Sequence, residues 1–265
     1  YNGDTLAWYV NDGVGVFTKQ VVDAAADGIH SMETVDLDGD GDVDLVTSNQ
    51  DAGTIMWYEN DGMNNFTVHQ VDANAPDAKR ASFADFDADG DIDIVSASNY
   101  ADEVSWYEND GSESFTKRVI DANSDGAYFV FPVDIDGNGS MDLLAASQDD
   151  STIALYVNEG TGAFSKQVID NLALGARTVI ASDINGDGKP DILAASADND
   201  TVAWYENKGA NVFEKQLIDS TADGAYGVFA ADINGDAHAE VMVASRDRDS
   251  VAIYTPVIEH IVLAP

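Results

Sequence analysis

The sequence predicts an all-β fold of the propeller class, and three features of the chain support this prediction. Within its 265 residues, one segment recurs at a constant spacing of 49 residues, with no insertion or deletion. Each segment contains four short runs of β-forming residues and no helical periodicity. The third of these runs is apolar on both faces. A four-stranded unit of about 40–50 residues is typical of a propeller blade, whereas a β-helix is built from shorter rungs.

Four strands, A to D, follow one another in each repeat. Strand A is represented by Ala225 to Ile233, and an acidic loop joins it to strand B, represented by Asp191 to Ser196. Strand C is represented by Thr201 to Glu206 and strand D by Phe213 to Asp219. The turn between C and D has Asn-Asp-Gly or a close variant, and these residue types supply the positive φ angles of hairpin turns.

Strand C distinguishes a propeller from a half-solvated sandwich. One face carries a branched aliphatic residue and a column that is mostly Trp, and the other carries a small residue and a Tyr column. The aliphatic column is Leu6, Ile55, Val104, Ile153, Val202 and Val251, and the Tyr column is Tyr9, Tyr58, Tyr107, Tyr156, Tyr205 and Tyr254. A sheet with one wet face alternates apolar and polar residues, whereas stacked blades bury both faces.

The whole chain, residues 1–265, is predicted to form one propeller domain. Its five complete units span 29–77, 78–126, 127–175, 176–224 and 225–265, after an N-terminal half unit at 1–28 that holds only a C–D pair. Because a lone hairpin is marginal in water, this pair must dock on something. A five-bladed ring is favoured, in which the pair completes the last blade by pairing with residues 240–245. It could instead be the outer half of a sixth blade, or dock on a neighbouring subunit.

The charge of the chain limits its partners. It has 49 acidic and 12 basic residues, a formal net charge of −37, and no cysteine. Such a field repels phosphate backbones, so nucleic acid is not an expected partner. Disulfides and thiolate metal sites are excluded, and no apolar run is long enough to insert into a membrane. We expect a secreted or cell-surface protein, present as a processed chain or an excised segment.

The acidic loops predict calcium binding. They read DLDGDGDVD from Asp36, DFDADGDID from Asp85, DIDGNGSMD from Asp134, DINGDGKPD from Asp183 and DINGDAHAE from Asp232. Oxygen side chains recur at positions 1, 3, 5 and 9, and calcium takes about six to eight oxygen ligands. We expect one ion in each loop, up to five. The fifth site is doubtful, because it has Ala237 in place of the glycine at position 6 and ends in Glu240.

The candidate metal residues are those at odd positions of the loops, position 7 acting through its carbonyl oxygen. They are Asp36, Asp38, Asp40, Asp42 and Asp44; Asp85, Asp87, Asp89, Asp91 and Asp93; Asp134, Asp136, Asn138, Ser140 and Asp142; Asp183, Asn185, Asp187, Lys189 and Asp191; and Asp232, Asn234, Asp236, His238 and Glu240.

At these loops the sequence resembles the FG-GAP, or VCBS-type, repeats. Such repeats occur in integrin α-subunit heads, secreted bacterial proteins, fungal lectins and the propeller of aldos-2-ulose dehydratase. The resemblance covers essentially the whole chain and implies a propeller with calcium in each A–B loop. It implies little about chemistry, because the same scaffold serves adhesion, sugar binding and some lyases or dehydratases.

A candidate ligand site comes from the second residue of strand A, because strand A lines the central channel of a propeller. These residues are His30, Lys79, Tyr128, Arg177 and Tyr226, here called the channel ring. Their side chains can donate hydrogen bonds to a ligand, and two are cationic in an acidic chain.

No catalytic centre is predicted. The four histidines occupy non-equivalent positions, and the chain has no nucleophile elbow, Gly-rich phosphate loop or His-x-x-x-His pair. We therefore expect a non-catalytic binding or adhesion module for a glycan or an extracellular protein. Two alternatives stay open. One is a lyase or dehydratase domain that uses His30, Tyr128 and Tyr226, and the other is a subunit that self-associates into an extracellular assembly through half-blade complementation.

Overall fold

A computed structural model describes residues 5–236 and 238–255 of the chain. These residues form strands and turns and contain no helix. The strands are β1 (Leu6–Asn11), β2 (Phe17–Asp23), β3 (Ile29–Val35), β4 (Asp44–Asn49), β5 (Thr54–Asn60), β6 (Phe66–Asp72), β7 (Ala78–Ala84), β8 (Asp93–Ser98), β9 (Glu103–Asn109), β10 (Phe115–Asp121), β11 (Ala127–Val133), β12 (Asp142–Ser147), β13 (Thr152–Asn158), β14 (Phe164–Asp170), β15 (Ala176–Ser182), β16 (Asp191–Ser196), β17 (Thr201–Asn207), β18 (Phe213–Asp219), β19 (Ala225–Ala231), β20 (Glu240–Ser245) and β21 (Ser250–Tyr254).

The strands form antiparallel sheets in sequence order. Within the described residues, four sheets have four strands each, β3–β6, β7–β10, β11–β14 and β15–β18, and these sheets are here called the complete blades. The predicted end of the fifth unit, residues 256–265, lies outside the described residues. Strands β19–β21 form a three-stranded sheet, and β1 and β2 form a separate pair. This confirms the predicted all-β architecture of 49-residue blades. The innermost strands of successive blades, β3, β7, β11, β15 and β19, pack side by side and carry the channel residues.

The core lies between stacked sheets, as the two apolar faces of strand C predict. In the complete blades, the aliphatic column from Ile55 to Val202 and the Tyr column from Tyr58 to Tyr205 are both buried. Alanines on the facing strands leave room for these aromatic rings. Burial on both faces removes the C strands from solvent, and this hydrophobic burial holds neighbouring blades together.

The five-bladed closure expected from the sequence is wrong. Strand β20 pairs with β21, from Val241 opposite Tyr254 to Ser245 opposite Ser250, and not with β1. A four-residue connection makes this local hairpin, which has a far lower loop-closure entropy cost than pairing with the start of the chain. Strand β1 instead docks on the first complete blade, where Leu6 packs with Tyr58. Among the described residues, no comparable packing joins β19 to β3, so the ring of sheets is open there.

A repeated polar contact, here called the latch, joins successive blades. The Tyr hydroxyl of strand C donates to the Asp that ends strand D of the preceding blade, as from Tyr156 to Asp121 Oδ2 at 2.8 Å. The Nζ of Lys166 donates to the same oxygen at 2.6 Å. Burial alone would raise the pKa of Asp121, but the bonds from Lys166 and Tyr156 lower it below its usual value. The carboxylate therefore stays ionised at neutral pH, although it is largely enclosed.

We expect Tyr156→Phe to lower the free energy of unfolding by about 1.5–3 kcal/mol, because a hydrogen bond to a charged group is lost inside the structure. Urea unfolding in saturating calcium measures this change. Tyr9→Phe is the matched control, since Tyr9 holds the same strand position but is 57% exposed. Equal effects of the two substitutions would contradict a stabilising latch.

Candidate functional site

The acidic loops between strands A and B share one backbone geometry. In each of the first four, the position 1 carboxylate accepts a hydrogen bond from the amide of the glycine at position 6, as between Asp36 Oδ2 and Gly41 at 3.0 Å. The φ of Gly41 is 97°, in the left-handed region that favours glycine. The loop thereby curls back over its own carboxylates and directs them inward.

The position 9 carboxylate is buried beneath each of these loops. Asp142, for example, accepts the amide of Ile135 at position 2 at 3.1 Å and the amide of Asn158 at the end of strand C at 2.7 Å. Burial raises the pKa of Asp142, and likewise that of Asp93, to about 6. A cation above these oxygens would favour the charged form and offset this cost.

The first three loops fit calcium. Carboxylate oxygens lie within 4.8 Å of one another in three clusters. The clusters are Asp36, Asp38 and Asp40; Asp85, Asp87 and Asp93; and Asp134, Asp136 and Asp142. The Oδ1 atoms of Asp36 and Asp85 are buried without a hydrogen-bond partner. A buried oxygen without a donor is costly unless a cation takes that place. Hard oxygen atoms are the ligands that calcium prefers, so these residues would hold that ion.

The position 7 side chains lie against the neighbouring C–D turn. A Cβ atom placed on Gly62 would stand 2.3 Å from Asp42 Oδ2, and one on Gly111 would stand 2.4 Å from Asp91 Oδ2. The turn glycine is therefore required for this close approach. It leaves the position 7 carbonyl oxygen as that residue's candidate calcium ligand.

In the last two loops, side-chain donors occupy some of the carboxylate oxygens. In the fourth loop, Lys189 Nζ lies 2.8 Å from Asp187 Oδ2. In the fifth, Asn234 Nδ2 donates to Asp236 Oδ2 at 3.0 Å and to Glu240 Oε1 at 2.7 Å. These side-chain donors compete with a cation for the same oxygens. Ala237, which marked the fifth loop as doubtful, lies outside the described residues.

We expect the loops that begin at Asp36, Asp85 and Asp134 to fill with calcium before those that begin at Asp183 and Asp232. The first three loops present more carboxylate oxygens that no side-chain donor occupies. Calcium affinity rises with the negative charge of the ligands. Crystals grown at limiting calcium would show the order of occupancy. Lys189→Ala should raise the occupancy of the fourth loop, and filling of the Asp232 loop first would contradict the order.

All five residues of the channel ring meet at one small cavity. It has a volume of about 160 Å³ and is also lined by Ser31, Arg80, Phe129 and Thr178. The ring residues occupy the same position in β3, β7, β11, β15 and β19, so the packing of the inner strands brings them together. The predicted clustering of these residues is therefore what the fold produces, although ligand binding by them stays a prediction.

A chain of polar contacts links the ring. His30 Nδ1 lies 2.6 Å from the Lys79 carbonyl oxygen, and His30 Nε2 lies 3.4 Å from the Tyr128 hydroxyl. The hydroxyls of Tyr128 and Tyr226 are hydrogen-bonded to each other. The guanidinium carbon of Arg177 lies 4.6 Å from the ring centroid of Tyr128 and 5.5 Å from that of Tyr226. The cation thus rests on two aromatic faces.

Burial and neighbouring groups set the protonation of these side chains. Burial, together with the charges of Lys79 and Arg177, lowers the pKa of His30. Burial and the adjacent Tyr226 raise the pKa of Tyr128 well above its usual value. At neutral pH His30 is therefore a neutral imidazole and Tyr128 a protonated phenol, which are hydrogen-bonding groups and not strong bases.

Arg177 differs from the other cations of the chain. Within the described residues, every lysine and arginine except Lys19 and Arg177 lies within 4.0 Å of a carboxylate oxygen. Lys79, for instance, is neutralised by Asp77 at 2.8 Å. Lys19 is exposed on β2, whereas Arg177 Nε is buried and has no hydrogen-bond partner. The channel thus holds an uncompensated positive charge in a protein with a net charge of −37.

The third residue of strand A also faces the channel, and sequence reasoning did not identify Phe129 and Thr178 at this position as lining it. A regular strand directs consecutive residues to opposite sides. Here the register shifts at the start of every strand A, as between Ala127 and Phe129, and such a bulge turns two consecutive side chains toward one side. Phe129 and Thr178 consequently line both the ring cavity and an adjoining apolar cavity of about 410 Å³.

A larger cavity lies on the open side of the ring of sheets. It measures about 540 Å³ and is lined by Leu6 of β1, by Ile29 and His30 of β3, and by Tyr226 of β19. The channel ring is therefore reached from this side as well as from the channel mouth.

Comparisons with known proteins agree with this architecture. A family profile described as an FG-GAP-like repeat matches residues 1–47, 36–96, 85–145, 134–194 and 183–243. No curated protein sequence matches the chain. The described part of the chain contains no helix that could cross a membrane.

Several solved structures share the fold at low sequence identity. An Agrocybe aegerita lectin that recognises non-reducing terminal N-acetylglucosamine is 19% identical with a TM-score of 0.64, covering 91% of this chain and 69% of the lectin. A putative 6-phosphogluconolactonase from Bacteroides fragilis is 15% identical with a TM-score of 0.65, covering 94% and 72%. A biofilm matrix protein of V. cholerae is 20% identical with a TM-score of 0.53, covering 95% and 41%.

Proposed function

The chain belongs to the FG-GAP-like repeat family, and from that premise we propose that it is a calcium-stabilised, non-catalytic binding module of the extracellular space. Its ligand is an acidic glycan, bound at the channel ring. The observation that carries the proposal is Arg177, a guanidinium with no carboxylate partner among the described residues of a strongly acidic chain. A carboxylate or sulfate of the ligand would supply the missing anion and form charge-assisted hydrogen bonds.

The chemistry of the ring favours a sugar. The hydroxyls of Tyr128 and Tyr226 line the same cavity as the apolar Phe129, a combination that suits the alternating polar and apolar surface of a pyranose. The cavity of about 160 Å³ admits a small ligand group and not a folded protein surface. A lectin specific for N-acetylglucosamine and a biofilm matrix protein among the similar structures support a binding role on this scaffold.

The enzyme alternative has weaker support. Its candidate residues His30, Tyr128 and Tyr226 do lie in one hydrogen-bonded chain. A tyrosine acting as a base requires a lowered pKa, however, whereas the pKa of Tyr128 is raised by burial. The lowered pKa of His30 also makes it a weaker base than free histidine. All three side chains are better suited to hydrogen bonding with a bound ligand than to catalysis.

Binding to a glycan array in millimolar calcium tests the proposed function. The array should contain uronate and sulfated glycans beside neutral sugars of the same linkage. We expect binding to acidic members that weakens as ionic strength rises, since the contact is between charges. Retention of neutral glycans alone would contradict an acidic ligand, and turnover of any glycan would favour the enzyme alternative.

Self-association is the second candidate function, because apolar positions that are buried in complete blades are exposed at both ends of the sheet series. Tyr9 is 57% exposed, and Val251 and Ile253 of β21 are 74% and 58% exposed. Strand β1 pairs only with β2 among the described residues. Such edges accept further strands. Mass measured at several concentrations, with and without calcium, separates an assembly that grows with concentration from a monomer.

A further inference from the structure

A histidine and two glutamates meet between the first and second complete blades, away from the channel ring. They lie beside the first two calcium loops, because Glu113 lines one cavity with Asp38 and Asp91. Glu59 on β5, His69 on β6 and Glu113 in the turn between β9 and β10 each present a ligand atom, and these atoms lie within 4.8 Å of one another. The Nε2 atom of His69 is 2.7 Å from Glu59 Oε2. The first blade thus contributes two of these residues and the second contributes one.

The imidazole is held in place by stacking. His69 lies directly opposite Trp57 in the β5–β6 ladder, and their ring centroids are 4.3 Å apart at an interplanar angle of 23°. Trp57 itself is buried in the core. A packed ring with a fixed orientation loses little freedom when it binds a metal ion, so this part of the site is already formed.

In the other blades, the residues at the equivalent positions differ, and so do their contacts. In the next blade, the position of His69 is taken by Arg118, which pairs with Glu108, and the position of Glu113 is taken by Gly162. In the blade after that, Gln167 Nε2 donates to the Asn211 carbonyl oxygen at 2.8 Å. Within the described residues, an imidazole meets two carboxylates only at the interface of the first two complete blades. No described lysine or arginine there pairs with both carboxylates.

We propose that Glu59, His69 and Glu113 bind a transition-metal ion of the zinc type, which bridges the two blades. Zinc is held in proteins by imidazole nitrogen and carboxylate oxygen, and three protein ligands leave a fourth position for water. The side chains of His69 and Glu59 are 29% and 28% exposed, so an ion and its water can reach them. The imidazole distinguishes this site from the all-oxygen loops, which suit calcium.

Zinc titration of the calcium-saturated protein, followed by calorimetry, tests this site, because filled loops cannot then contribute carboxylates. We expect one zinc ion per chain. His69→Gln, which installs the residue present at the equivalent Gln167 and Gln216, should weaken zinc binding roughly tenfold or more. Glu113→Gln, in an exposed turn, should also weaken it. His30→Gln and His238→Gln are matched controls and should leave zinc affinity unchanged.

Copper quenching of Trp57 fluorescence gives a second readout, since the indole stacks on the proposed ligand. Quenching by substoichiometric copper that zinc reverses supports the site. Equal zinc affinity in wild type, His69→Gln and Glu113→Gln, or no zinc binding at millimolar concentration, would overturn it. Glu113→Gln keeps the test decisive if His69→Gln does not fold, because Glu113 is outside the core.

Discussion

Removal of calcium with a chelator is expected to lower the melting temperature of this protein by about 15 °C or more. A site held at a hundredfold above its dissociation constant contributes about 2.7 kcal/mol. In a domain of about 150–250 residues, each kcal/mol shifts the melting temperature by about 2–4 °C. Three well-formed loops, those beginning at Asp36, Asp85 and Asp134, therefore produce a large combined shift. Thermal melts in chelator and in millimolar calcium measure it.

The physical reason is the buried negative charge beneath these loops. Without a cation, Asp93 and Asp142 are enclosed carboxyl groups whose pKa is raised by burial to about 6, so at neutral pH their ionised form destabilises the fold. Asp85→Asn should remove part of the calcium-dependent shift. Asp232→Asn, in the fifth loop, is the matched control and should leave most of it in place. An unchanged melting temperature in chelator would contradict calcium stabilisation.

Arg177→Met is expected to weaken acidic glycan binding by roughly thirtyfold or more. Truncating one partner of an enclosed charge pair costs about 2–5 kcal/mol. Titration calorimetry with an acidic oligosaccharide from the array measures the change. The substitution places a flexible thioether where the guanidinium now covers Tyr128 and Tyr226, and sulfur packs well on aromatic rings, so the packing of the channel ring should persist.

Lys19→Met is the matched control for this prediction. Lys19 also lacks a carboxylate partner among the described residues, and its substitution changes the net charge by the same amount, but it lies exposed on β2. A nonspecific effect of charge would lower affinity equally in both variants. If Arg177→Met and wild type bound the acidic oligosaccharide with equal affinity, the proposal that the ligand binds at the channel ring would be wrong.

Repetition explains how much of this structure the sequence could predict. Because hairpin turns and strand periodicity recur in phase, even single strands such as β16 and β18 fall at their predicted bounds. The same phase predicts one shared strand position for the side chains of the channel ring, which are His30, Lys79, Tyr128, Arg177 and Tyr226. Features that every repeat shares, such as strand bounds and the position of the channel residues, can therefore be predicted from the sequence.

Contacts that break the repeat could not be predicted. The pairing of β20 with β21 depends on a competition between two strands of similar composition, and only the tertiary structure decides it. The contact of Lys189 with Asp187 depends on a side-chain rotamer in one loop. The cluster of Glu59, His69 and Glu113 depends on how two blades stack, since Glu113 is distant in sequence from the other two residues.

The central claim, that Arg177 receives the anionic group of the ligand, can be tested on the guanidinium itself. Calcium-saturated protein labelled with ¹⁵N-arginine would be titrated with the methyl glycosides of glucuronic acid and of glucose, which differ only in the carboxylate. The account predicts that the Arg177 Nε signal shifts saturably with the glucuronide and not with the glucoside, while the signal of Arg118, paired with Glu108 at the outer edge, stays in place. Saturable binding of the glucuronide without a shift at Arg177, or equal shifts with both sugars, would contradict it.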